Sequence, residues 1–172
     1  MDILSDILHV AGLRRRLLDL HALTPEAALR FPCERSFGLH AVTRGRAFVH
    51  APNLDGPLEL QAGDLVLMAR GCVHLLSLDR EPPARSTTVP IARFVGSDLA
   101  ESDHDRLHDS PPARDPAAPT QVISAAYQLW HDPLHPFLRS LPPWFVVRGH
   151  SLPQLSAVPL TLGLLDRELG DQ

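Results

Sequence analysis

The clearest chemical candidate in this 172-residue chain is His74, which follows two glycines at a regular spacing. Gly63 and Gly71 are eight positions apart, and the histidine lies three positions further on. An imidazole can bind a divalent metal ion or exchange a proton near neutral pH. A histidine in an apolar strand can equally be a hydrogen-bonded core residue. Residue type and spacing therefore leave a chemical role and a structural role open.

Strands and turns surround these three residues. Residues 58–61 alternate apolar and polar side chains, which is the period of a half-buried strand. Residues 62–64 have turn chemistry, because glycine adopts positive φ easily and aspartate can bond its own backbone. Residues 65–68 form a short apolar run that is typical of a core strand. The histidine then lies at the start of a further strand over residues 73–78.

The same pattern of short strands and turns extends over much of the chain. Residues 36–50 predict a β-hairpin that turns at Arg44 and Gly45, and the Asp-Gly pair within residues 53–56 predicts a second hairpin turn. Residues 14–23 fit either a helix or a strand. Further strands are predicted over residues 120–129 and 144–148. Strands at this spacing indicate a mainly β sandwich or barrel.

Helices and a loop complete a prediction of one domain over residues 1–172, with its barrel over about residues 12–150. Residues 2–10 have the apolar spacing of a short amphipathic helix. The proline-rich residues 80–119 predict a loop, since proline fits neither a helix interior nor a central strand. Residues 152–169 predict a C-terminal helix. One face of that helix carries an apolar stripe formed by Leu162, Leu165 and Leu169.

Composition excludes several classes of function. A net charge of -4 argues against a nucleic-acid surface, since phosphate binding requires a basic face. Two cysteines do not make a disulfide framework. The first residues lack the basic segment of a signal peptide, and no apolar run is long enough for a membrane span. We therefore expect a cytoplasmic protein.

Taken in order, these features resemble the N-terminal cupin domain of AraC-type transcriptional regulators. Gly63, Gly71 and His74 match the second cupin motif, in which glycine is followed after five residues by proline, after one more by glycine and after two more by histidine. Ala69 replaces the proline of that motif, and Leu78 stands where many cupins have asparagine. Other segments that look like the subfamily are residues 2–8, 29–31, 39–45 and 135–143.

This resemblance implies a double-stranded β-helix, that is, a jelly-roll barrel with helices packed outside. It implies a ligand-sensing or dimerisation domain that binds a small molecule within the barrel. In such regulators a pair of helix-turn-helix units on further residues binds DNA, so we expect no direct nucleic-acid contact from this chain. The residues that would line the ligand site are Phe37, Leu39, His40, Val42, Phe48, Leu67 and His74.

The alternative implied by the resemblance is a stand-alone, metal-dependent cupin enzyme, such as a dioxygenase or an isomerase. Many cupins hold a metal with histidines and a glutamate of a first motif and a histidine of the second. Here the first-motif histidines would fall near residues 31–33 and the glutamate near Gly38. The remaining candidate ligands are Cys33, His40 and His74, which would need His40 and His74 on neighbouring strands. Such a set favours zinc, with iron or nickel as alternatives.

The expected homodimer depends on the C-terminal helix. AraC-type sensor domains commonly dimerise through a helix outside the barrel, and the apolar stripe of residues 152–169 is the candidate. The same stripe can instead pack on its own barrel, and the sequence leaves these two alternatives open. No catalytic residue and no definite cofactor is predicted.

Overall fold

The computed structural model describes residues 13–33, 36–91, 119–129, 140–151 and 157–170. These residues form ten β-strands, a 3-10 turn at Gly149–Ser151 and one α-helix. The strands are β1 (Leu13–Ala22), β2 (Ala28–Pro32), β3 (Ser36–Arg44), β4 (Arg46–His50), β5 (Leu58–Gln61), β6 (Leu65–Met68), β7 (Val73–Ser77), β8 (Ser86–Thr88), β9 (Gln121–Leu129) and β10 (Trp144–Val147). The helix is α1 (Ala157–Gly170).

Two five-stranded sheets make up the body of the protein. The first sheet has the order β1-β9-β3-β6-β10, and the second has the order β5-β4-β7-β2-β8. All pairs are antiparallel except β2 with β8. The mainly β fold predicted from the strand pattern is confirmed. The predicted helix over residues 2–10 lies outside the described residues, as does most of the predicted loop over residues 80–119, whose described part contains β8.

Apolar side chains divide between the two faces of the first sheet, because successive residues of a strand point in opposite directions. The interior cluster, between the sheets, is formed mainly by Leu17, Leu23, Phe31, Val42, Val49, Leu60, Val66, Met68, Leu76, Val122, Ala126 and Trp144. The outer cluster, between the first sheet and α1, is formed by Leu20, Ala41, Leu65, Ile123 and Leu169. Full burial of one such leucine or valine stabilises the fold by about 1.5–3 kcal/mol.

The predicted hairpin over residues 36–50 is wrong. β3 pairs with β6 and β9 in the first sheet, whereas β4 pairs with β5 and β7 in the second. Gly45 connects them with a positive φ of 74°, which lets the chain pass from one sheet to the other instead of folding back. The turn over residues 53–56 does join a true antiparallel pair, β4 and β5.

The ambiguous residues 14–23 form strand β1. β1 pairs along its length with β9, and its register shifts between Arg15 and Leu17. Leu17 belongs to the interior cluster and Leu20 to the outer cluster. The long ladder with β9 supplies backbone hydrogen bonds that a helix would have made locally, so the distant partner decides between the two structures.

Within this single chain the apolar stripe of α1 packs against its own sheet, and the homodimer stays a prediction. Leu169 is buried within the outer cluster, and Leu162 and Leu165 pack against it. The exposed apolar side chains of α1 lie elsewhere, at Val158 (39 % exposed), Leu160 (58 % exposed) and Leu164 (67 % exposed). None of the described helices is long and apolar enough to cross a lipid bilayer.

Candidate functional site

His40 and His74 meet in the interior between the two sheets. The Nε2 atoms of the two rings are 2.7 Å apart, and the ring centroids are 4.9 Å apart. Both side chains are almost fully buried. The expectation that their strands are neighbours is wrong, because His40 lies on β3 of the first sheet and His74 on β7 of the second. The pair therefore bridges the sheets.

A chain of hydrogen bonds fixes the proton positions on this histidine pair. Nδ1 of His74 lies 3.0 Å from the carbonyl oxygen of Cys72. A carbonyl oxygen only accepts, so this Nδ1 carries the proton and the Nε2 of neutral His74 is an acceptor. Nε2–H of His40 then donates to it. Nδ1 of His40 in turn accepts from the hydroxyl of Ser124, at 2.8 Å.

Both histidines are neutral at pH 7. Burial lowers the pKa of His74 to about 4, although the bond to the carbonyl of Cys72 acts in the opposite direction. The pKa of His40 lies well below its ordinary value because of burial, with smaller contributions from His74 and His21. A further proton on His74 would lie on Nε2, where it would set two N–H groups against each other across the 2.7 Å contact with His40.

Aromatic rings enclose the histidine pair. Phe31, which is fully buried, stacks on His74 with ring centroids 5.3 Å apart and contacts His40 edge-on at 4.8 Å. Trp144 approaches His74 edge-on at 5.3 Å, and its indole N–H donates to Oδ1 of Asn53. The space around the two imidazoles is therefore occupied by side chains.

The predicted metal ligands are only partly brought together. The two histidines meet, but no group of three histidine, cysteine, aspartate or glutamate side chains within the described ranges could hold a metal ion. Burial raises the pKa of the Cys33 thiol to about 12, against the opposing effect of Arg16, whereas a cysteine ligand must be a thiolate. Two imidazole nitrogens on a tetrahedral zinc ion would lie about 3.3 Å apart. The described residues thus do not form a complete metal site.

The predicted ligand-lining residues lie on different faces. His40, Val42 and His74 point between the sheets, whereas Leu39 and Leu67 pack against the outer cluster. The two remaining predicted residues, Phe37 and Phe48, belong to neither cluster, although Phe48 is buried. Strand alternation explains the division, since Phe48 lies between two residues of the interior cluster and Leu39 directly precedes an inward-facing residue.

A second feature of the structure is a crevice on the outer side of the first sheet. Its volume is about 490 Å³, and its walls come from the end of β3, the turn at Gly63, Gly149 of the 3-10 turn, and α1. The lining residues are Val42, Thr43, Ala62, Gly63, Gly149, Pro159, Leu162, Gly163 and Asp166.

Asp64 holds one wall of the crevice in place. Its carboxylate accepts from the backbone N–H of Gln61 at 3.0 Å and of Gly149 at 2.9 Å. It also forms an ion pair with Arg148, whose Nη1 is 2.6 Å away. Burial raises the pKa of Asp64. The hydrogen bonds from Gln61, Gly149 and Arg148 lower it by more, so the net pKa is below the ordinary value. The ionised Asp64 therefore ties the β5–β6 turn to the end of β10.

Sequence reasoning missed two polar residues of these regions. Ser124 is fully buried and completes the hydrogen bonding of His40. The sequence could have indicated Ser124, because its hydroxyl is a polar group on the apolar side of β9 that also carries Val122 and Ala126. Asp166 lines the crevice, and only its position one residue after Leu165 in the predicted helix could have indicated that it lies near the sheet.

Comparison with known proteins gives one match over nearly the whole chain. A family model described as cupin matches residues 2–172. No curated protein matches the chain in sequence.

The solved structures that resemble this fold are distant from the chain in sequence. YhaK from Escherichia coli is 11% identical, with 79% of this chain and 43% of that chain covered and a TM-score of 0.44. Apo ToxT K231A from Vibrio cholerae strain SCE256 is 10% identical, with coverage of 91% and 47% and a TM-score of 0.45. ToxT from Vibrio cholerae O395 is also 10% identical, with coverage of 92% and 47% and a TM-score of 0.41. The chain spans less than half the length of each of these proteins.

Proposed function

Since the chain belongs to the cupin family, we propose that it is the ligand-sensing or dimerisation domain of an AraC-type transcriptional regulator. The sequence segments that resemble this subfamily support the proposal. The observation that carries it is the histidine pair. Its four ring nitrogens are committed to hydrogen bonds within the protein: His40 to Ser124 and His74, and His74 to His40 and Cys72. This arrangement suits a structural element of a binding domain better than a catalytic centre.

The alternative is a metal-dependent cupin enzyme of the dioxygenase or isomerase type. Such an enzyme needs nitrogen lone pairs that point at an ion. Here the lone pair of His74 Nε2 accepts from His40, and the thiol of Cys33 is held protonated by burial. A metal site would require the two rings to separate and a further ligand to approach. The regulator therefore remains the better supported function.

Elemental analysis separates the two functions. We expect purified protein from medium supplied with zinc, iron and nickel to contain no stoichiometric metal, in the wild type and in His74→Ala alike. Stoichiometric metal in the wild type that is lost in His74→Ala would favour the enzyme.

DNA binding in the proposed regulator is assigned to residues outside this chain. The net charge of -4 makes the domain a poor partner for phosphates. The test is the reading frame that encodes the chain, together with gel-shift measurements on its full product and on residues 1–172 alone. We expect the frame to encode two helix-turn-helix units, and we expect only the full product to shift DNA. A frame without those units would contradict the regulator.

A homodimer through α1 is the form of assembly that we propose. Leu160 and Leu164 are one helical turn apart and exposed, so they lie on one face that a second copy can cover about a two-fold axis. The double variant Leu160→Glu/Leu164→Glu should be monomeric by analytical ultracentrifugation, whereas the matched double variant Leu160→Met/Leu164→Met, which keeps the face apolar, should leave the dimer intact. A monomeric wild type would contradict this assembly.

A further inference from the structure

We propose that the crevice between α1 and the first sheet binds a small organic cation, a primary amine with an apolar body. Its volume of about 490 Å³ lies within the range of small-molecule sites. The crevice is on the opposite side of the first sheet from the histidine pair. Binding there can be measured on this chain alone, so the inference stands independently of the proposed regulatory function.

The charge of the crevice selects a cation. Among the described residues that line the crevice, Asp166 alone has an ionisable side chain. Its Oδ1 atom is buried without a hydrogen-bond partner in the same part of the chain. A buried, unsatisfied carboxylate oxygen strongly favours a charged donor. Arg148, which precedes Gly149 of the wall, is already paired with Asp64.

The hydrogen-bonding groups of the crevice wall also favour a cation over an anion. The N–H of Gly63 donates to the carbonyl of Val42, and the N–H of Gly149 donates to Asp64. The hydroxyl of Thr43 donates to the carbonyl of Gln121, which leaves its oxygen lone pairs as acceptors. An ammonium group has three donors and no acceptor. An anionic ligand would meet Asp166 and find these donors already occupied.

The space for the apolar body comes from the helix. A Cβ atom added at Gly163 would meet nothing within 4 Å, so packing does not require a glycine at this position. Glycine is less favourable than alanine inside a helix, and its presence keeps the wall of the crevice open. Leu162 and Pro159 supply apolar surface beside it.

The test is a nuclear magnetic resonance titration of the 15N-labelled chain with 2-phenylethylamine and, separately, with 2-phenylethanol. We expect the amine to give saturable shifts of the amide signals of Gly63, Gly149 and Gly163. The signals of Gly56 and Gly170, which do not line the crevice, should stay in place. The alcohol has the same apolar body without the charge and should bind at least about tenfold more weakly, which is the size of one hydrogen bond to a charged group.

Two pairs of variants locate the site. Asp166→Asn should weaken amine binding about tenfold or more, whereas Glu168→Gln, which removes an exposed charge from the same helix, should leave it unchanged. Gly163→Leu should fill the crevice and abolish the shifts, whereas Gly170→Leu, also in open space, should not. Circular dichroism checks that each variant is folded.

Three results would overturn the proposal. They are the absence of saturable shifts with the amine, equal affinity for amine and alcohol, and unchanged binding in a folded Asp166→Asn or Gly163→Leu variant.

Discussion

The two faces of the first sheet differ in how completely the histidine pair and the crevice carboxylate are hydrogen bonded. On the interior face, the second sheet packs against the first, and the histidine pair is buried and fully hydrogen bonded. On the outer face, α1 is the element of the described residues that packs on the sheet, and the crevice beside it holds a carboxylate oxygen without a partner in those residues. A sheet closes a sheet over its full width, whereas a helix leaves space along its sides. The residues marked by a motif therefore lie in the closed region, and the open space lies where no motif points.

Removal of Phe31 should have the largest effect on stability. Phe31 is fully buried and contacts three histidine rings, so Phe31→Ala should lower the free energy of unfolding by about 3–5 kcal/mol. Phe145 is about half exposed, and the matched change Phe145→Ala should cost less than about 1 kcal/mol. Urea denaturation of both variants measures the difference. Similar losses in the two would mean that the interior is not the closed region.

Adjacent leucines of α1 measure how firmly the helix covers the outer face. Leu165 packs against the outer cluster and Leu164 is 67 % exposed. Leu165→Glu should destabilise the protein by about 2 kcal/mol through lost burial and a partly buried charge. Leu164→Glu should change the stability of the monomer, measured on the background of a monomeric variant or at a protein concentration too low for dimers, by less than about 0.5 kcal/mol. Thermal unfolding of the two variants checks this, and equal melting temperatures would contradict the packing of α1.

The histidine pair makes the interior sensitive to acid. In the unfolded chain histidine takes up a proton near its ordinary pKa of 6.5, but folded His74 does so only near 4, and folded His40 also resists protonation. The unfolded state therefore binds more protons, and stability falls as the pH falls below about 6.5. The loss should be about 1.4 kcal/mol per pH unit for each histidine that stays neutral in the fold.

Denaturant titrations between pH 7 and pH 5 measure this slope. The double variant His40→Leu/His74→Leu keeps an apolar interior without the titrating rings, so its stability should depend less on pH. An identical slope in wild type and double variant would assign the acid sensitivity to other groups.

The smallest expected effect is a gain in stability at the open crevice. Since a Cβ at Gly163 meets nothing within 4 Å, Gly163→Ala should stabilise the protein by about 0.5–1 kcal/mol through helix propensity alone. Differential scanning calorimetry can resolve such a change. A loss of stability would show that the wall of the crevice is closer packed than the structure indicates.

Local patterns predicted much of the fold and part of the site. Alternation and turn residues indicated most of the strands, and the Asp-Gly turn correctly joined β4 to β5. They could not indicate that the chain changes sheets at Gly45. Alternation shows which side chains of a strand share a face, but it does not show which strand pairs with it. Spacing singled out His40 and His74, but their direct contact depends on β3 and β7 facing each other across the interior.

Burial explains the remaining difference at the site. Cys33 has the residue type of a metal ligand, but its protonation depends on how deeply the fold encloses it. Asp166 is one of many acidic residues in the sequence, and only the fold places its oxygen inside a crevice. Such environments arise from segments far apart in the chain, which local reasoning does not capture.

The pairing of β1 with β9 has a consequence for how the protein forms during synthesis. Leu13 pairs with Leu129, and β9 lies between β1 and β3 in the first sheet. During synthesis, β1 and one edge of β3 therefore have no pairing partner until β9 leaves the ribosome. Topologies dominated by such distant contacts fold in milliseconds to seconds. Until β9 emerges, the apolar sides of β1 and β3 are available to chaperones and to neighbouring nascent chains.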